Sequence, residues 1–570
     1  MSRSSKPRAE VLHAPASFPR SSGRRWTAFT GLALLVSACG ERDEVYDKGI
    51  GKAESFGLTD RVALVDGAAD RALVLTARGD EVDRSFVPVG KGITRSLASQ
   101  DRKRLFVLSA GESPRRKEDD ERPSLTIIEA PAEVGAESVV RRFNLESPHT
   151  GIAIDPAGRY AAVFAAPTTS GATPVFLENP NEIIILDLAA PNGGAVIART
   201  LRSFGGRPQR LTFTPTLSLP GGPRRLLVVE TNQDVVLLDL NHVGDVPPRP
   251  EITVRLTSGL SAKALVPAGV VVDDGDPAKT DDARIGVRLE NDSSVVTLTL
   301  EPRPADPPGA PAPAPGAGAL NDFAPTVNLT DVGGLPGDIA FVRTDAGVRL
   351  AAIVPPTQSA VLIDPQTSVT TNVALPGRFG RISLITDIVG GAATPGRTDT
   401  ALLYGGTGGS AGVAFWSLGK ASGQPYRSVE VVSLESAVTG VLDVPPPRAE
   451  LKVLQVATNA VYVLNLSTRT ASPLTVQSRA SIHVTDDGQR LWAYQPGGPQ
   501  LAQVVLENIH PVQLPLDRSI SAVFEVAKPG GRSLLALDAR AAMGVTVLDA
   551  LSPNTATSRS YYGLLLEGLQ

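Results

Sequence analysis

From residue 61 to its carboxyl terminus, the chain alternates short apolar runs with polar turns. The runs are rich in leucine and β-branched residues, and at four to seven residues they are too short for typical helices. The turns between them contain Gly, Pro, Asp and Asn, which tolerate tight backbone geometry. The pattern predicts an all-β protein, with strands that include Leu105–Leu108, Ile183–Leu186, Leu226–Val229, Val235–Leu238 and Val461–Leu464.

The strands belong to a repeated unit. In each unit a turn leads to an arginine that opens an apolar strand, and the next strand ends in Asp or Asn. We call the arginines that open these strands the opening arginines: Arg104, Arg159, Arg225, Arg284, Arg349, Arg490 and Arg532. They follow one another at intervals of roughly 40 to 66 residues, or about twice that near Arg397 and Leu451, and such spacing is typical of propeller blades.

The repeat predicts a single β-propeller of seven or eight four-stranded blades. Residues 61–88 read as a partial unit, so the amino-terminal strands are expected to complete the last blade by closing the ring. A two-sheet or two-propeller arrangement is the structural alternative.

The third strand of several units has the ending hydrophobic-Asp-Leu, for example at Asp187 and Asp239. Together with the preceding turn, this ending resembles the YVTN-type and lactonase-like propellers of bacterial extracytoplasmic proteins. The resemblance covers most of residues 58–563. The chain is WD40-like only in its blade pattern, since it lacks the closing Trp-Asp dipeptide of true WD repeats. The resemblance implies a propeller that binds partners or, in the lactonase-like case, hydrolyses a substrate in its channel.

The amino terminus has the composition of a secretory signal. A basic segment is followed by the short apolar stretch Trp26–Val36 and then by small residues up to Cys39. Val36-Ser37-Ala38-Cys39 resembles the lipobox of bacterial lipoproteins, in which the cysteine carries a diacylglyceryl group. The resemblance implies lipid attachment at Cys39, the only cysteine of the chain. An ordinary signal peptide with a chance cysteine is the alternative.

The predicted domains are therefore a lipoprotein signal peptide at 1–38, a lipidated tether at 39–57 and a propeller at 58–570. Within the propeller, residues 301–319 are rich in Pro and Ala and are expected to form an extended loop. The predicted location is the cell envelope, outside the cytoplasm and attached to a membrane by lipid. Gly40 differs from the aspartate that resembles an inner-membrane retention signal, which favours the outer membrane.

Charge limits the class of partner. The chain has 55 basic and 59 acidic residues, and residues 1–38 hold six and one of these. The mature chain would keep 49 and 58, a formal net charge of −9. Nucleic acid binding needs a basic face, so no nucleic acid partner is expected. The expected partners are the membrane, through the lipid anchor, and an envelope protein or an anionic small molecule or glycan.

The chemical motifs favour structural interpretations. The Gly-x-Ser-x-Gly sequence around Ser410 lies between two apolar strands, whereas a catalytic elbow joins a strand to a helix. The acidic segment from Asp273 to Asp282 lacks the spacing of a calcium loop and is interpreted as a polar surface loop. The histidines lack metal-ligand spacing, and only His149 and His483 fall in or beside first strands. No catalytic residue, metal site or cofactor is predicted.

A basic residue repeatedly precedes or enters the first strand of a unit, where it would surround one mouth of a propeller channel. We call these residues the predicted collar: Arg95, Arg210, Arg381, Arg479 and Arg518. Such a collar suits a carboxylate or phosphate group. Pairing with acids of neighbouring blades, or simple exposure to solvent, is the alternative. The predicted function is that of a binding or protein-interaction module, with a lactonase-like or other hydrolase acting in the channel as the alternative.

Overall fold

The structure is a computed structural model that describes 53–566, apart from 80, 113–115, 168–178, 191–193, 203–205, 258–264, 306–317, 386, 390–391, 395–399, 407, 420–427, 477–479 and 541–542. Of 387–389 and 392–394, only the backbone is described. The predicted signal peptide, Cys39 and Arg479 lie outside these residues, as does most of the Pro/Ala-rich segment.

Antiparallel sheets follow one another along the chain, and we number them as units. Unit 1 contains β1 to β4, which are Glu54–Gly57, Arg61–Asp66, Arg71–Arg78 and Glu81–Pro88. Unit 2 contains β5 to β8, which are Ile93–Ala98, Arg104–Ser109, Ser124–Glu129 and Val139–Asn144. Unit 3 contains β9 to β12, which are Gly151–Ile154, Tyr160–Phe164, Glu182–Asp187 and Ala195–Thr200.

Unit 4 carries a small hairpin between its first and second strands. Its sheet strands are β13 and β16 to β18, which are Pro208–Phe213, Leu226–Thr231, Asp234–Asp239 and Ile252–Arg255. The hairpin strands β14 and β15 are Leu217–Leu219 and Gly222–Arg224. Unit 5 contains β19 to β22, which are Pro267–Asp273, Ala283–Leu289, Ser294–Pro302 and Phe323–Asp331. Unit 6 contains β23 to β26, which are Asp338–Thr344, Gly347–Val354, Ser359–Ile363 and Thr370–Ala374.

A seven-stranded sheet supplies units 7 and 8, because one long strand serves both. Its strands are β27 and β30 to β35, which are Arg381–Ile385, Thr400–Tyr404, Ala411–Ser417, Val429–Asp443, Leu451–Val456, Val461–Asn465 and Thr470–Leu474. The long β32 pairs with β31 through its first part and with β33 through its second. A separate hairpin consists of β28 and β29, which are Asp387–Val389 and Ala392–Thr394.

The last two units are again four-stranded. Unit 9 contains β36 to β39, which are Ser481–Val484, Arg490–Tyr494, Gln500–Val505 and His510–Pro515. Unit 10 contains β40 to β43, which are Ile520–Lys528, Gly531–Asp538, Gly544–Asp549 and Arg559–Tyr562. Single-turn 3-10 helices occur at Leu240–His242, Pro355–Thr357, Thr555–Thr557 and Leu564–Leu566.

The core lies between neighbouring sheets, and the two-residue period of the strands produces it. In β16, Leu226 and Val228 pack on unit 5, whereas Leu227 and Val229 pack on unit 3. Successive residues of a strand point to opposite faces, so a strand with apolar residues on both faces must be covered on both sides. Stacked four-stranded antiparallel sheets of this kind are the layout of a β-propeller.

The last unit also packs on the first. The backbone N–H of Ala527 donates a hydrogen bond to the carbonyl of Thr59 at 3.0 Å. Residues of β2 and β3 share one apolar cluster with residues of β41 and β42. On the outer strands, Arg559 lies 2.7 Å from Glu81. No helix among the described residues has the length and apolar character needed to cross a membrane.

The all-β class is confirmed, and the layout is of the propeller type. The predicted count of seven or eight blades is not confirmed, because the described residues form eight four-stranded sheets and one of seven strands. The strands of residues 61–88 form a unit of their own with β1, which lies inside the segment predicted as tether. The number of units does not follow from the arginine spacing alone, because the second strands of units 7 and 8 have no opening arginine. These strands, β30 and β33, begin with Thr400 and Leu451.

Candidate functional site

Two arginines of the predicted collar belong to a charged cluster that extends over four consecutive units. Arg210 lies in β13 and Arg381 in β27, and both are within electrostatic range of Arg288 at the end of β20. We call this group the four-unit cluster: Arg210, Glu230, Arg288, Asp338, Arg381 and Tyr404.

Arg210 and Glu230 form the unit 4 side of the cluster. A β-bulge between Pro208 and Arg210 shifts the register, and such bulges redirect side chains. The Arg210 Nη1 atom lies 3.7 Å from Oε2 of Glu230, and 59% of the arginine side chain is exposed, against 1% of the glutamate. The other oxygen of Glu230, Oε1, has no hydrogen-bond partner. Burial raises the pKa of Glu230, although Arg210 and Arg288 favour its charged form.

Arg288 joins units 4 and 5 through a backbone carbonyl. Its Nη2 donates a hydrogen bond of 2.6 Å to the carbonyl of Ala268, which also accepts one of 3.2 Å from Arg210. Burial lowers the pKa of Arg288, and Asp338 and Glu230 oppose this effect. Two guanidinium groups are therefore held beside each other by one carbonyl.

Asp338 and Arg381 form the other side of the cluster. The Asp338 carboxylate accepts hydrogen bonds from the backbone N–H groups of Ile339 at 3.0 Å and Ile382 at 3.2 Å, which ties β23 to β27. Burial raises the pKa of Asp338, while these hydrogen bonds and the charges of Arg381 and Arg288 act in the opposite direction. Burial likewise raises the pKa of Tyr404, the register partner of Arg381.

The cluster combines three guanidinium groups with two carboxyl groups, so it carries one excess positive charge when all are ionised. Arg210 and Arg381 are exposed, so the donors that Arg210 does not use for Ala268, and those of Arg381, can reach a ligand. Guanidinium groups bind carboxylate and phosphate in bidentate geometry. The arrangement can therefore hold an anion, and its positive charge grows when either carboxyl group takes up a proton.

The sequence did not reveal Glu230, Arg288, Asp338 or Tyr404 as site residues. A signal was present for two of them, because Glu230 and Arg288 each follow directly on the buried apolar run of a second strand. A charged residue directly after a buried apolar run indicates a position at the end of the strand, outside the packed faces of the sheet.

Arg95 and Arg518 of the predicted collar lie outside the four-unit cluster. Arg95 lines a separate cavity of about 460 Å³ together with Glu54 of unit 1. Arg518 lies 3.6 Å from the carboxylate of Asp538 and 3.9 Å from the ring centre of Tyr562, so its charge is partly neutralised within unit 10. Arg479 lies outside the described residues. The ligand-binding role of the collar stays a prediction.

Two histidines are held in their neutral form. Burial lowers the pKa of His149 to about 4 and that of His483 to about 3. The Nε2 atom of His483 accepts a hydrogen bond of 3.2 Å from the backbone N–H of Glu525. His149 lies 3.4 Å from the Ser147 hydroxyl through Nε2, and its Nδ1 has no hydrogen-bond partner. Glu182 lies 3.7 Å from the same Nε2 atom of His149, so the carboxylate and the hydroxyl share one ring nitrogen. In a catalytic triad the imidazole contacts a carboxylate through one nitrogen and the nucleophile through the other, and neither histidine is arranged in this way.

The other motifs occupy turns. Ser410 lies between the antiparallel strands β30 and β31, and its hydroxyl accepts a hydrogen bond of 2.6 Å from the backbone N–H of Arg378. The acidic segment connects β19 to β20, and Asp276 and Asp282 accept hydrogen bonds from backbone groups of the same loop. Within the described residues, no group of three or more His, Cys, Asp or Glu side chains is arranged to hold a metal ion.

Neither a protein-family model nor a curated protein matches the chain. Solved structures with similarity to it include the dihydro-heme d1 dehydrogenase NirN in complex with DHE, with a TM-score of 0.37, 10% identity, and coverage of 85% of this chain and 82% of that chain. Apo AztD from Citrobacter koseri has a TM-score of 0.33, 12% identity, and coverage of 73% and 95%. Sqt1 from Saccharomyces cerevisiae has a TM-score of 0.36, 8% identity, and coverage of 88% and 97%. Likeness at this level carries no information about function.

Proposed function

We propose that this chain is a lipid-anchored, extracytoplasmic β-propeller that acts as a binding module. Its four-unit cluster is the site for a partner that carries a carboxylate or phosphate group. One observation carries the proposal: Arg288 is within electrostatic range of Arg210 and Arg381, from two other units, and of the carboxyl groups of Glu230 and Asp338. Arg210 and Arg381 are exposed. An envelope protein, a glycan or a small molecule with such a group fits this chemistry.

The proposal includes a closed ring of ten blades. The contact between unit 10 and unit 1 supports closure, and the division of the seven-stranded sheet into units 7 and 8 supports the count. In such a ring the first strands line the channel, so the four-unit cluster would occupy about two fifths of one mouth.

Anchoring rests on the amino-terminal sequence. Val36-Ser37-Ala38-Cys39 resembles a lipobox, and a diacyl group supplies the two acyl chains that stable membrane attachment requires. The outer membrane is the proposed location because Gly40 follows the cysteine.

The site is tested by calorimetric titration of the purified mature protein with citrate and with inorganic phosphate. Replacing both Arg210 and Arg381 by alanine is expected to weaken anion binding by roughly tenfold to a hundredfold, since each substitution removes charge-assisted hydrogen bonds to the anion. Binding is also expected to tighten as the pH falls through the raised pKa values of Glu230 and Asp338, because protonation increases the positive excess of the cluster.

Arg78→Ala is the matched control, because 58% of the Arg78 side chain is exposed and it pairs with Asp83 away from the cluster. It should leave binding within about twofold of the wild type. A double variant that binds both probes like the wild type, or a wild type that binds neither, would show that the cluster is not an anion site.

A hydrolase is the second candidate, and the raised pKa values of Glu230 and Asp338 favour it. A carboxyl group whose pKa is raised by burial can act as a general acid. Hydrolysis of a panel of lactones and esters, followed as acid release, tests this function. Turnover that is lost in Glu230→Gln would support it, and no turnover by the wild type would eliminate it for those substrates.

A further inference from the structure

Most opening arginines share a structural role at the start of the second strand. Six of the seven lie within 4.0 Å of a carboxylate, either in their own unit or in a neighbouring one. The pairs are Arg104–Glu129, Arg159–Asp187, Arg225–Asp155, Arg349–Asp364, Arg490–Glu525 and Arg532–Glu525. The repeat thus places an arginine and its counter-charge at the same end of each of these sheets.

Arg284, the opening arginine of unit 5, departs from this rule. Its register partners are Asp273 on the first strand, which forms no ion pair with it, and Thr299 on the third strand, where other units provide an acid nearby. Within the described part of the chain, the Arg284 side chain forms no ion pair and no hydrogen bond, although its charge acts on Asp273 at longer range. Arg284 is only 5% exposed, and its Nε has no hydrogen-bond partner.

A largely buried guanidinium without an ion-paired carboxylate is costly, and the Nε atom of Arg284 has lost water without gaining a partner. Arg284 borders an open cleft of about 370 Å³ between units 5 and 6. Lys279, Arg343 and Arg349 also line this cleft. Arg343 is 42% exposed, and within the residues that the structure describes only its Nη2 has partners, Asp273 at 3.5 Å and the carbonyl of Gly275 at 3.4 Å, so its other donors are available.

Three acids line the same cleft, but each already accepts hydrogen bonds. Asp276 accepts from the backbone N–H of Ala278 at 3.1 Å, and Asp282 accepts from that of Asp276 at 3.0 Å. Asp364 accepts from two backbone N–H groups and pairs with Arg349 at 3.2 Å. The second oxygen of Asp282, Oδ1, is buried and has no hydrogen-bond partner among the described residues. The cleft therefore has four basic and three acidic side chains, and its unsatisfied buried cation is Arg284.

We propose that the cleft between units 5 and 6 is a binding site for a small anion, a phosphate or a carboxylate group, with Arg284 at its base and Arg343 and Lys279 at its rim. The bound anion supplies the counter-charge that the other opening arginines obtain from protein carboxylates. The site does not depend on the four-unit cluster. Arg284 is the second residue of β20 and Arg288 is the last but one, so the two sites lie at opposite ends of this strand.

The experiment uses the mature protein that carries Arg210→Ala and Arg381→Ala, so that the remaining anion binding reports on the cleft. Inorganic phosphate and acetate are titrated separately, which distinguishes the two anion classes. At least one is expected to bind, and Arg284→Gln in the same background should weaken that binding by roughly tenfold or more. Arg343→Gln tests the rim, and because this side chain is partly exposed its loss should weaken binding several-fold without unfolding the protein.

Arg159→Gln is the matched control, because Arg159 is an opening arginine that has a protein carboxylate 3.2 Å away. It should leave the titration unchanged. A background protein that binds neither anion up to a concentration on the order of 10 mM overturns the proposal. So does unchanged affinity in both Arg284→Gln and Arg343→Gln. Since the cluster is already inactivated in the background, neither result bears on the proposed function.

Discussion

The side chain of Glu525 is fully buried where units 9 and 10 meet. Its carboxylate accepts hydrogen bonds of 2.7 Å from Arg490 and from Nε1 of Trp492, and it pairs with Arg532. Arg490 and Trp492 lie in β37, whereas Arg532 lies in β41, so one carboxylate connects two sheets. A buried charge of this kind is stable only while its partners remain.

Glu525→Gln is therefore expected to reduce the free energy of unfolding by about 3 to 5 kcal/mol, because two guanidinium groups lose their shared counter-ion. Urea denaturation followed by tryptophan fluorescence measures the loss. Asp487→Asn is the control, since Asp487 also pairs with Arg490, at 3.0 Å, but is 32% exposed. The control should change stability by less than about 1 kcal/mol. Equal effects of the two substitutions would contradict the assigned role of Glu525.

The positions of the opening arginines were predictable from the sequence, whereas their carboxylate partners were not. The repeat placed Arg225 at the start of a second strand, yet its carboxylate partner is Asp155, in the preceding unit. A turn-and-strand pattern reports local spacing only, so a partner some 70 residues away is invisible to it. The four-unit cluster has a similar origin: Arg210 and Arg381 were predicted, but Glu230 joins Arg210 through strand pairing within unit 4, and Asp338 joins through the stacking of the sheets.

At the scale of elements, the acidic loop between β19 and β20 connects unit 5 to the hairpin of unit 4. The Asp274 carboxylate accepts hydrogen bonds from the backbone N–H of Ser218 and, at 3.2 Å, from its hydroxyl. On either side of Ser218, Leu217 and Leu219 are fully buried in the core between units 4 and 5. The loop therefore holds a hairpin against the core, which gives its aspartates a structural role.

Asp274→Ala is expected to speed amide hydrogen exchange in residues 217–224, because Ser218 loses two hydrogen bonds to a charged acceptor. Exchange followed by mass spectrometry localises the effect. Asp276→Ala is the control, since the Asp276 side chain is exposed and accepts from Ala278 within its own loop. If both substitutions left exchange in the hairpin unchanged, Asp274 would have no part in holding it.

Strand boundaries were predictable where apolar runs ended at turns, as at β16 and β34. The extent of β32 was not predictable in this way. Its alternating pattern continues through Val429–Asp443 while its partner changes from β31 to β33. The change coincides with a bulge at which Ala411 and Gly412 both oppose Ala437. Gly412 has a φ of +111°, and a Cβ there would lie 2.2 Å from the carbonyl oxygen of Val432. Only glycine fits this position, and a lone glycine in a sequence does not identify a bulge.

For the whole molecule, periodicity was enough for the fold class but not for the number of units. Most second strands have apolar residues on both faces, so each sheet needs a neighbouring sheet on both sides. The first and last sheets of the stack have the same need, so their outer faces must also be covered. Packing of unit 10 on unit 1 meets that requirement. In the sequence, the only indication of this contact was the partial unit at 61–88.

The charge of the whole molecule bears on the proposed attachment to a membrane. A mature chain with a net charge of −9 gains nothing from the negative surface of anionic lipids, so electrostatic attachment is unfavourable. Attachment would then depend on the acyl chains at Cys39 alone. We expect the wild type in the membrane fraction, resistant to a high-salt wash and released by detergent, with a diacylated Cys39 at the mature amino terminus by mass spectrometry.

Cys39→Ala is expected to leave the protein unlipidated and to abolish its detergent-dependent release from membranes, because the substitution removes the thiol that accepts the lipid. Ser37→Ala keeps a small residue before the cysteine and should be lipidated and fractionate like the wild type. If the wild type had an unmodified amino terminus and were found in the soluble fraction, the lipid anchor would be excluded. The proposed binding module would then act free in the envelope or outside the cell. A wild type removed by salt alone would instead place the attachment on a protein partner, since the acyl chains of a lipoprotein do not dissociate at high ionic strength.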